Sequence, residues 1–254
     1  MSNAYTDAEF MTSDEARPLR ILSEYIEPRT RLMNLNVHNG LIFWGSARLH
    51  SPQGPKVADA VDYYGQAREL AARMVRWTMD SHAEGEQYYV CTGGGPGIME
   101  AANRGAADVN PELSMGLNIE LPHEQGTNAW VHERLNFNFH YFFMRKFWFM
   151  NIAKALIIFP GGFGTMDELF EMLTLIQTGK QPRIPVVLYG RAFWDRLIDF
   201  SVFEEHGLIS SSDLDLFYEA ENVDDAYGFL TEALDDCPVE TKRRREGRDS
   251  VAAG

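Results

Sequence analysis

The run Pro160-Gly161-Gly162-Phe163-Gly164-Thr165 follows the apolar stretch Ala155-Leu156-Ile157-Ile158-Phe159 and precedes a helical pattern carrying Leu169, Met172, Leu173 and Ile176. Glycines at the end of a strand let successive backbone N–H groups converge on an oxyanion, and Thr165 adds a hydroxyl where the helix begins. That chemistry suits a monophosphate. Two further glycine turns, Gly45-Ser46-Ala47-Arg48 and Thr92-Gly93-Gly94-Gly95-Pro96-Gly97, also follow apolar runs. None continues as Gly-Lys-Ser or Gly-Lys-Thr, which excludes a Walker loop. The dinucleotide fingerprint fails as well, because its last glycine position is Asp167 in one turn and Ile98 in the other, so a nucleoside triphosphate or NAD is disfavoured.

Carboxylates Asp167 and Glu168 stand just inside the helix that the cradle opens. They either complement the helix dipole, as carboxylates there routinely do, or face the sugar of a ligand whose phosphate the cradle holds. Upstream, Phe142-Phe143-Met144-Arg145-Lys146-Phe147-Trp148-Phe149-Met150 sets two cations in a helix apolar on nearly every side, which implies burial, in part against another subunit. A buried arginine needs an anionic partner, because an unpaired buried charge costs several kcal/mol. A glutamate on a neighbouring helix, the ligand and a catalytic carboxylate all satisfy that need.

Other chemistries find less support. The histidines, His38, His50, His82, His123, His132, His140 and His206, show no metal-ligand spacing, and His123 and His140 are the ones expected nearest the pocket. Lys146, Lys154 and Lys180 stand in no pyridoxal phosphate motif, so neither a metal nor a cofactor is expected. Cys91 and Cys237 are far apart in sequence, which fits a reducing cytoplasm.

These residues must be positioned by the elements around them. Short β-rich runs alternate with helical patterns, the habit of a parallel sheet covered on both faces. Strands are expected at Leu41–Trp44, Tyr88–Thr92, Met115–Ile119, Leu135–Phe139, Ala155–Phe159 and Pro185–Tyr189, with a seventh at Leu216–Tyr218. Helices are expected over about 60–80, 97–108, 141–153, 165–178, 191–200 and 223–235. The predicted fold is α/β: a Rossmann-like, three-layer, doubly wound sheet, mainly parallel, of about seven strands. Residues 1–36 read as a flexible start and a helical arm through Leu19, Leu22, Ile26 and Leu32. The nucleotide-binding domain covers 37–237, and 238–254 is a basic tail carrying Lys242, Arg243, Arg244, Arg245 and Arg248.

Composition narrows the partners. The 254 residues are 45% hydrophobic, enough for one substantial core, and carry a formal charge of -14. Nucleic acid and anionic membranes reward positive charge, so neither is expected. The acidic start, with Asp7, Glu9, Asp14 and Glu15, has no basic region followed by an apolar core, and no run of about 18 apolar residues occurs. A soluble cytoplasmic protein is the expectation.

The pair Gly93-Gly94-Gly95-Pro96-Gly97-Ile98-Met99-Glu100-Ala101 and Pro160-Gly161-Gly162-Phe163-Gly164-Thr165-Met166-Asp167-Glu168, with Arg145-Lys146 upstream of the second, resembles the LOG family. That family comprises cytokinin-activating phosphoribohydrolases, and many bacterial members carried the label "possible lysine decarboxylase". The resemblance spans roughly residues 40–235. It implies a homodimer or larger assembly and hydrolysis of the N-glycosidic bond of a nucleoside 5'-monophosphate, AMP or a related purine or cytokinin nucleotide, to free base and ribose 5-phosphate. Carried over by motif, Glu168 is the catalytic carboxylate and Arg145 its companion. Gly161, Gly162, Gly164 and Thr165 hold the phosphate, while Ser46, Gly94, Gly95 and Lys146 complete the substrate-binding set. The chain departs from the smaller members in reading Phe142-Phe143-Met144 where they show Met-His-Glu before the two cations, and in an insertion at Leu49–Pro55. A different class of function uses the same cradle: a protein that binds or carries a nucleotide or phosphorylated cofactor without cleaving it.

Overall fold

A computed structural model describes residues 3–50, 61–120 and 126–235. His123, Cys237, the basic tail and the part of the insertion from residue 51 onward lie outside the described residues.

The elements run in chain order as α1 (Ala8–Thr12), α2 (Arg17–Asn34), β1 (Asn39–Trp44), α3 (Tyr63–Ser81), β2 (Tyr88–Thr92), α4 (Ile98–Ala107), β3 (Ser114–Ile119) and β4 (Asn136–Phe139). They continue as α5 (Phe142–Ile152), β5 (Ala153–Ile158), α6 (Phe163–Gln177), β6 (Val186–Tyr189), α7 (Arg191–Leu197), α8 (Ser201–Glu205), β7 (Tyr218–Ala220) and α9 (Val223–Asp235). The seven strands form one sheet in the order β4-β3-β2-β1-β5-β6-β7, and every pairing is parallel. This is the α/β Rossmann-like architecture expected from the alternation of strand and helix patterns. The order reverses between β1 and β5, and that switch point is where a doubly wound sheet opens a crevice at its carboxyl end.

The central strands are apolar without interruption because helices cover both faces. Ile42 and Trp44 enter a core with Leu156, Ile158, Trp148 and Met172, while Leu41 and Phe43 enter a second core with Ile157, Leu70, Met74 and Leu230. Successive strand residues point to opposite faces, so both sets are buried. The N-terminal arm, α2, packs on the first of these layers. Trp148 Nε1 donates to the Glu24 carbonyl at 2.9 Å, and Arg31 donates to the Asn136 carbonyl at 2.7 Å.

Several boundaries differ from expectation by a residue or two, among them the starts of β1 at Asn39 and β5 at Ala153, and three differences have a local cause or bear on the site. The helix expected over 191–200 is broken, because Ile198 is extended and the Asp199 carboxylate accepts from the Ser201 N–H at 3.1 Å, which starts α8 as a separate turn. The last strand lies two residues later, at Tyr218–Ala220, because Ser211–Leu216 winds into a 3-10 helix held by a capping box between Ser210 and Asp213. Helix α6 begins at Phe163 and not 165, so Gly164 and Thr165 fall within its first turn.

Candidate active site

Three loops meet at the carboxyl ends of the adjacent strands β2, β1 and β5, and backbone hydrogen bonds join them. Ser46 N–H donates to the Pro160 carbonyl at 3.0 Å, and Ile98 N–H donates to the Ser46 carbonyl at 3.2 Å. Gly97 has φ +70, and a Cβ there would run into the Ser46 carbonyl oxygen, so only glycine allows the first two turns to approach so closely. Ser46 thus spends its carbonyl on the start of α4, while its hydroxyl accepts from Arg48 N–H at 3.1 Å.

The start of α6 is different. Asp62 caps α3 by accepting from Gly65 N–H at 2.8 Å, whereas the cap position of α6 is Gly162 and no side chain caps it. The first helical bond runs from Met166 N–H to the Gly162 carbonyl at 3.1 Å, so the amides of Phe163, Gly164 and Thr165 point out of the helix end. Gly161 packs against the Thr165 side chain, where a Cβ would overlap it, and Thr165 is buried. Around Gly162 and Gly164 nothing lies within 4 Å of where a Cβ would stand. The result is an open concavity of amides at the positive end of a helix, the geometry that favours a phosphate.

One turn further along α6, Glu168 meets Arg145 of α5 at 3.4 Å, and both side chains are 13% exposed. The neighbouring glutamate and the candidate catalytic carboxylate that the arginine could have paired with are one residue. Burial pushes the Glu168 carboxyl up to about 7, an effect that the Arg145 charge opposes and Asp167 reinforces. The Arg145 guanidinium lies 5.3 Å from the Phe142 ring centre and 5.8 Å from that of Phe149, and its Nη1 is 3.6 Å from where a Gly93 Cβ would stand. Hence the second glycine turn and the Arg145–Glu168 pair share one wall. Lys146, 100° further round α5, turns to the other side of α6, where it pairs with Asp167 at 2.7 Å and Glu171 at 3.0 Å. It lies with Phe163 and Phe170 along a concavity of about 550 Å³, apart from the Arg145–Glu168 pair.

Gly94 and Gly95 are held by a buried polar cluster that the sequence reading missed. Thr92 Oγ1 accepts from Gly94 N–H at 2.9 Å and donates to Asn103 Oδ1 at 2.6 Å. Asn103, fully buried in α4, donates to Ser114 Oγ at 3.0 Å and to the Met115 carbonyl at 3.1 Å. The Asn128 amide lies 3.1 Å from both the Gly94 and Gly95 carbonyls and 3.0 Å from Asn103 Oδ1. Asn103 is polar among Ala101, Ala102 and Ala106 on the buried face of α4, and that conflict was the available signal. Among the described residues, no group of His, Cys, Asp and Glu side chains could hold a metal ion, and no helix is long and apolar enough to cross a membrane.

Comparison with known proteins connects this geometry to a family. A protein from Oryza sativa subsp. japonica, "Probable cytokinin riboside 5'-monophosphate phosphoribohydrolase LOG4", is 32% identical over 82 residues. The aligned stretch spans 32% of this chain and 36% of the Oryza protein, about a third of each. Among solved structures, the structural-genomics protein TM1055 matches with a TM-score of 0.47 at 16% identity, over 76% of this chain and 99% of its own. The molybdenum cofactor binding protein from the phototrophic bacterium Rippkaea orientalis matches with a TM-score of 0.46 at 17% identity, over 76% of this chain and 94% of its own. Neither structural likeness is strong enough to add to the reading of the site. A family profile described as "Possible lysine decarboxylase" matches residues 99–229, just over half of the chain and inclusive of Arg145, the cradle and Glu168. The chain belongs to this possible lysine decarboxylase family, the LOG-type family that its paired glycine motifs resemble.

Proposed function

We propose that this protein is a nucleoside 5'-monophosphate phosphoribohydrolase that releases the free base from AMP or a related purine or cytokinin nucleotide and leaves ribose 5-phosphate. The observation that carries the reading is the buried Arg145–Glu168 pair, 3.4 Å apart, one helical turn from an uncapped, glycine-lined helix start. The amides of Phe163, Gly164 and Thr165 hold the 5'-phosphate, which sets the ribose beside Glu168. As the C–N bond breaks, its electron pair leaves on the base and positive charge builds on the ribose ring. The Glu168 carboxylate stabilises that charge and takes a proton from the water that adds to the anomeric carbon, and the proton passes on to the departing base. Arg145 fixes the carboxylate with directed donors that a lysine lacks.

Incubation with AMP should release adenine and ribose 5-phosphate in equal amounts, followed by chromatography. Glu168→Gln should lower turnover by roughly 10²–10⁴-fold and still bind AMP. Base release by the variant at the parent rate would overturn the role given to Glu168.

The active form is a homodimer or larger homo-oligomer. Phe142, Phe143 and Phe147 of α5 and Phe163 and Phe170 of α6 are all exposed, and Phe163 and Phe170 line the concavity that holds Lys146. An apolar face of this kind, next to the site, is a surface for a second copy of the chain.

A further inference from the structure

Glu24 of the N-terminal arm α2 grips α5, the helix that carries Arg145, at two points. Residue 28 of α2 is a proline, which has no N–H to give, so the Glu24 carbonyl one turn earlier loses its helical partner. That freed carbonyl accepts the Trp148 indole N–H at 2.9 Å. The Glu24 side chain reaches the other end of α5, where Oε1 accepts from His140 N–H at 2.8 Å and Oε2 from Tyr141 N–H at 3.2 Å. Tyr141 holds the cap position of α5 and its own side chain makes no cap. A carboxylate from another helix takes that place, at the end where the helix field favours negative charge.

Tyr141 and Trp148 lie on either side of Arg145 in the chain. The Tyr141 carbonyl accepts the Arg145 N–H at 3.2 Å, and Arg145 Nη2 reaches Glu168 Oε1 at 3.4 Å. A line of hydrogen bonds therefore runs from Glu24 through Tyr141 and Arg145 to Glu168. Ring contacts tie the arm to the same helix: the Arg17 guanidinium lies 5.7 Å from the Tyr141 ring centre, and the Tyr25 ring lies 5.6 Å from that of Phe147 and 5.9 Å from that of Trp148. Apolar residues occupy nearly every side of α5, so burial alone sets its rotation weakly, and a turn of about 100° would bring Lys146 to where Arg145 stands. Directed bonds at both ends of the helix remove that freedom.

We propose that Glu24 is a positioning residue for the hydrolytic site: it fixes the height and rotation of α5, so that Arg145 and not Lys146 meets Glu168. The proposal rests on the reading of Arg145 and Glu168 as the pair that serves hydrolysis, and it gives the arm a part in the reaction beyond packing. Glu168 is faced by Arg145 and Lys146 of α5 and by Asp167 and Glu171 of its own helix; burial raises its carboxyl to about 7, and Arg145 is the stronger of the two cations that oppose the rise. Slackening α5 withdraws that charge and leaves the carboxyl higher still. The phosphate cradle, on α6, is untouched.

The test compares the full chain with Glu24→Ala, Glu24→Gln and a stability control away from α5, Leu230→Ala in the buried face of α9. Each is followed by base release from AMP against pH, calorimetric binding of ribose 5-phosphate, thermal melting, and carbon NMR titration of the Glu168 carboxyl, assigned by its loss in Glu168→Gln. Glu24→Ala should lower kcat by roughly ten- to hundredfold, the cost of a group misplaced by about an ångström. Its affinity for ribose 5-phosphate should be unchanged and its Glu168 midpoint should move above about 7. Glu24→Gln keeps a neutral oxygen that accepts one of the two N–H groups, so it should fall between the parent and the alanine variant on both readouts, and it carries the test should the alanine variant not fold. Leu230→Ala should melt lower with parental kcat and midpoint. Glu24 variants that behave as this control does, melting lower and nothing more, overturn the proposal. A parent that releases base from no monophosphate, while its Glu168 midpoint still moves with Glu24, sinks hydrolysis alone. A parent that releases base, with kcat and midpoint indifferent to Glu24, sinks positioning alone.

Discussion

Glu168 is a carboxylate held where water is scarce, and its behaviour with pH follows from that placement. Burial raises its carboxyl to about 7, so near neutral pH both protonation states are populated and the group can take and return a proton. Catalysis that needs the carboxylate should therefore fail on the acid side. A pH profile of kcat/KM for AMP should rise with a midpoint near 7, about one unit above the substrate phosphate's own titration near 6. A profile flat from pH 6 to 8 would remove Glu168 as the base. Stability should run the opposite way. The folded protein holds this proton more tightly than the unfolded chain, whose value is near 4.5, so the contribution is fully present below about 4.5 and is lost as pH rises through about 7. Thermal melting of the parent protein minus that of Glu168→Gln should fall across this window and level off above it. The type and spacing of Glu168 and Arg145 were legible in the sequence. Their partnership was one of several open to Arg145 and was otherwise implied only by the family resemblance, because Arg145 and Lys146 are adjacent and only the packing of α5 on α6 decides which carboxylate each one meets.

At the scale of elements, the glycines of the cradle divide into two kinds, which the motif alone does not distinguish. Gly161 is tight against Thr165, whereas Gly162 and Gly164 face open space. Gly164 lies in the first turn of α6, and alanine there should stabilise the helix by up to about 1 kcal/mol. The same methyl group projects into the concavity assigned to phosphate. Gly164→Ala should thus melt at the parent temperature or slightly above and yet bind ribose 5-phosphate at least tenfold more weakly. Gly161→Ala should lower both stability and binding. Equal affinity of Gly164→Ala and the parent would move the phosphate elsewhere. Strong periodicity made β1, β2, β5 and α9 readable to within a residue or two. The break between α7 and α8 escaped because it depends on one side chain, the Asp199 carboxylate that accepts from both the N–H and the hydroxyl of Ser201, and the shift of β7 because a capping box winds the residues before it.

For the whole molecule, the formal charge of -14 means that any anion must be bound by a local field. The fold supplies one from the start of α6 and Arg145, at the point where the strand order reverses. The exposed aromatic residues of α5 and α6 lie beside that point, and the proposed homodimer covers them. Sedimentation should report a dimer or larger species for the parent chain, and Phe147→Asp with Phe170→Asp should shift it toward monomer with circular dichroism unchanged. A monomeric parent at micromolar concentration would overturn the assembly. Apolar residues on nearly every side of α5 signalled burial, but burial within one chain and burial between two read alike in sequence.

Local regularities were enough to establish the class of this protein: alternating strand and helix patterns, and glycine turns at strand ends of the kind whose backbone suits an anion. They are written in short stretches of chain because periodicity and turn chemistry act over a few residues. The strand order, the pairing of Arg145 with Glu168, the buried Asn103–Asn128 cluster and the grip of Glu24 on α5 were decided only in three dimensions. Each joins residues on different elements, and the free energy that selects such a contact comes from burial and hydrogen bonding that exist only once the sheet and its helices have packed.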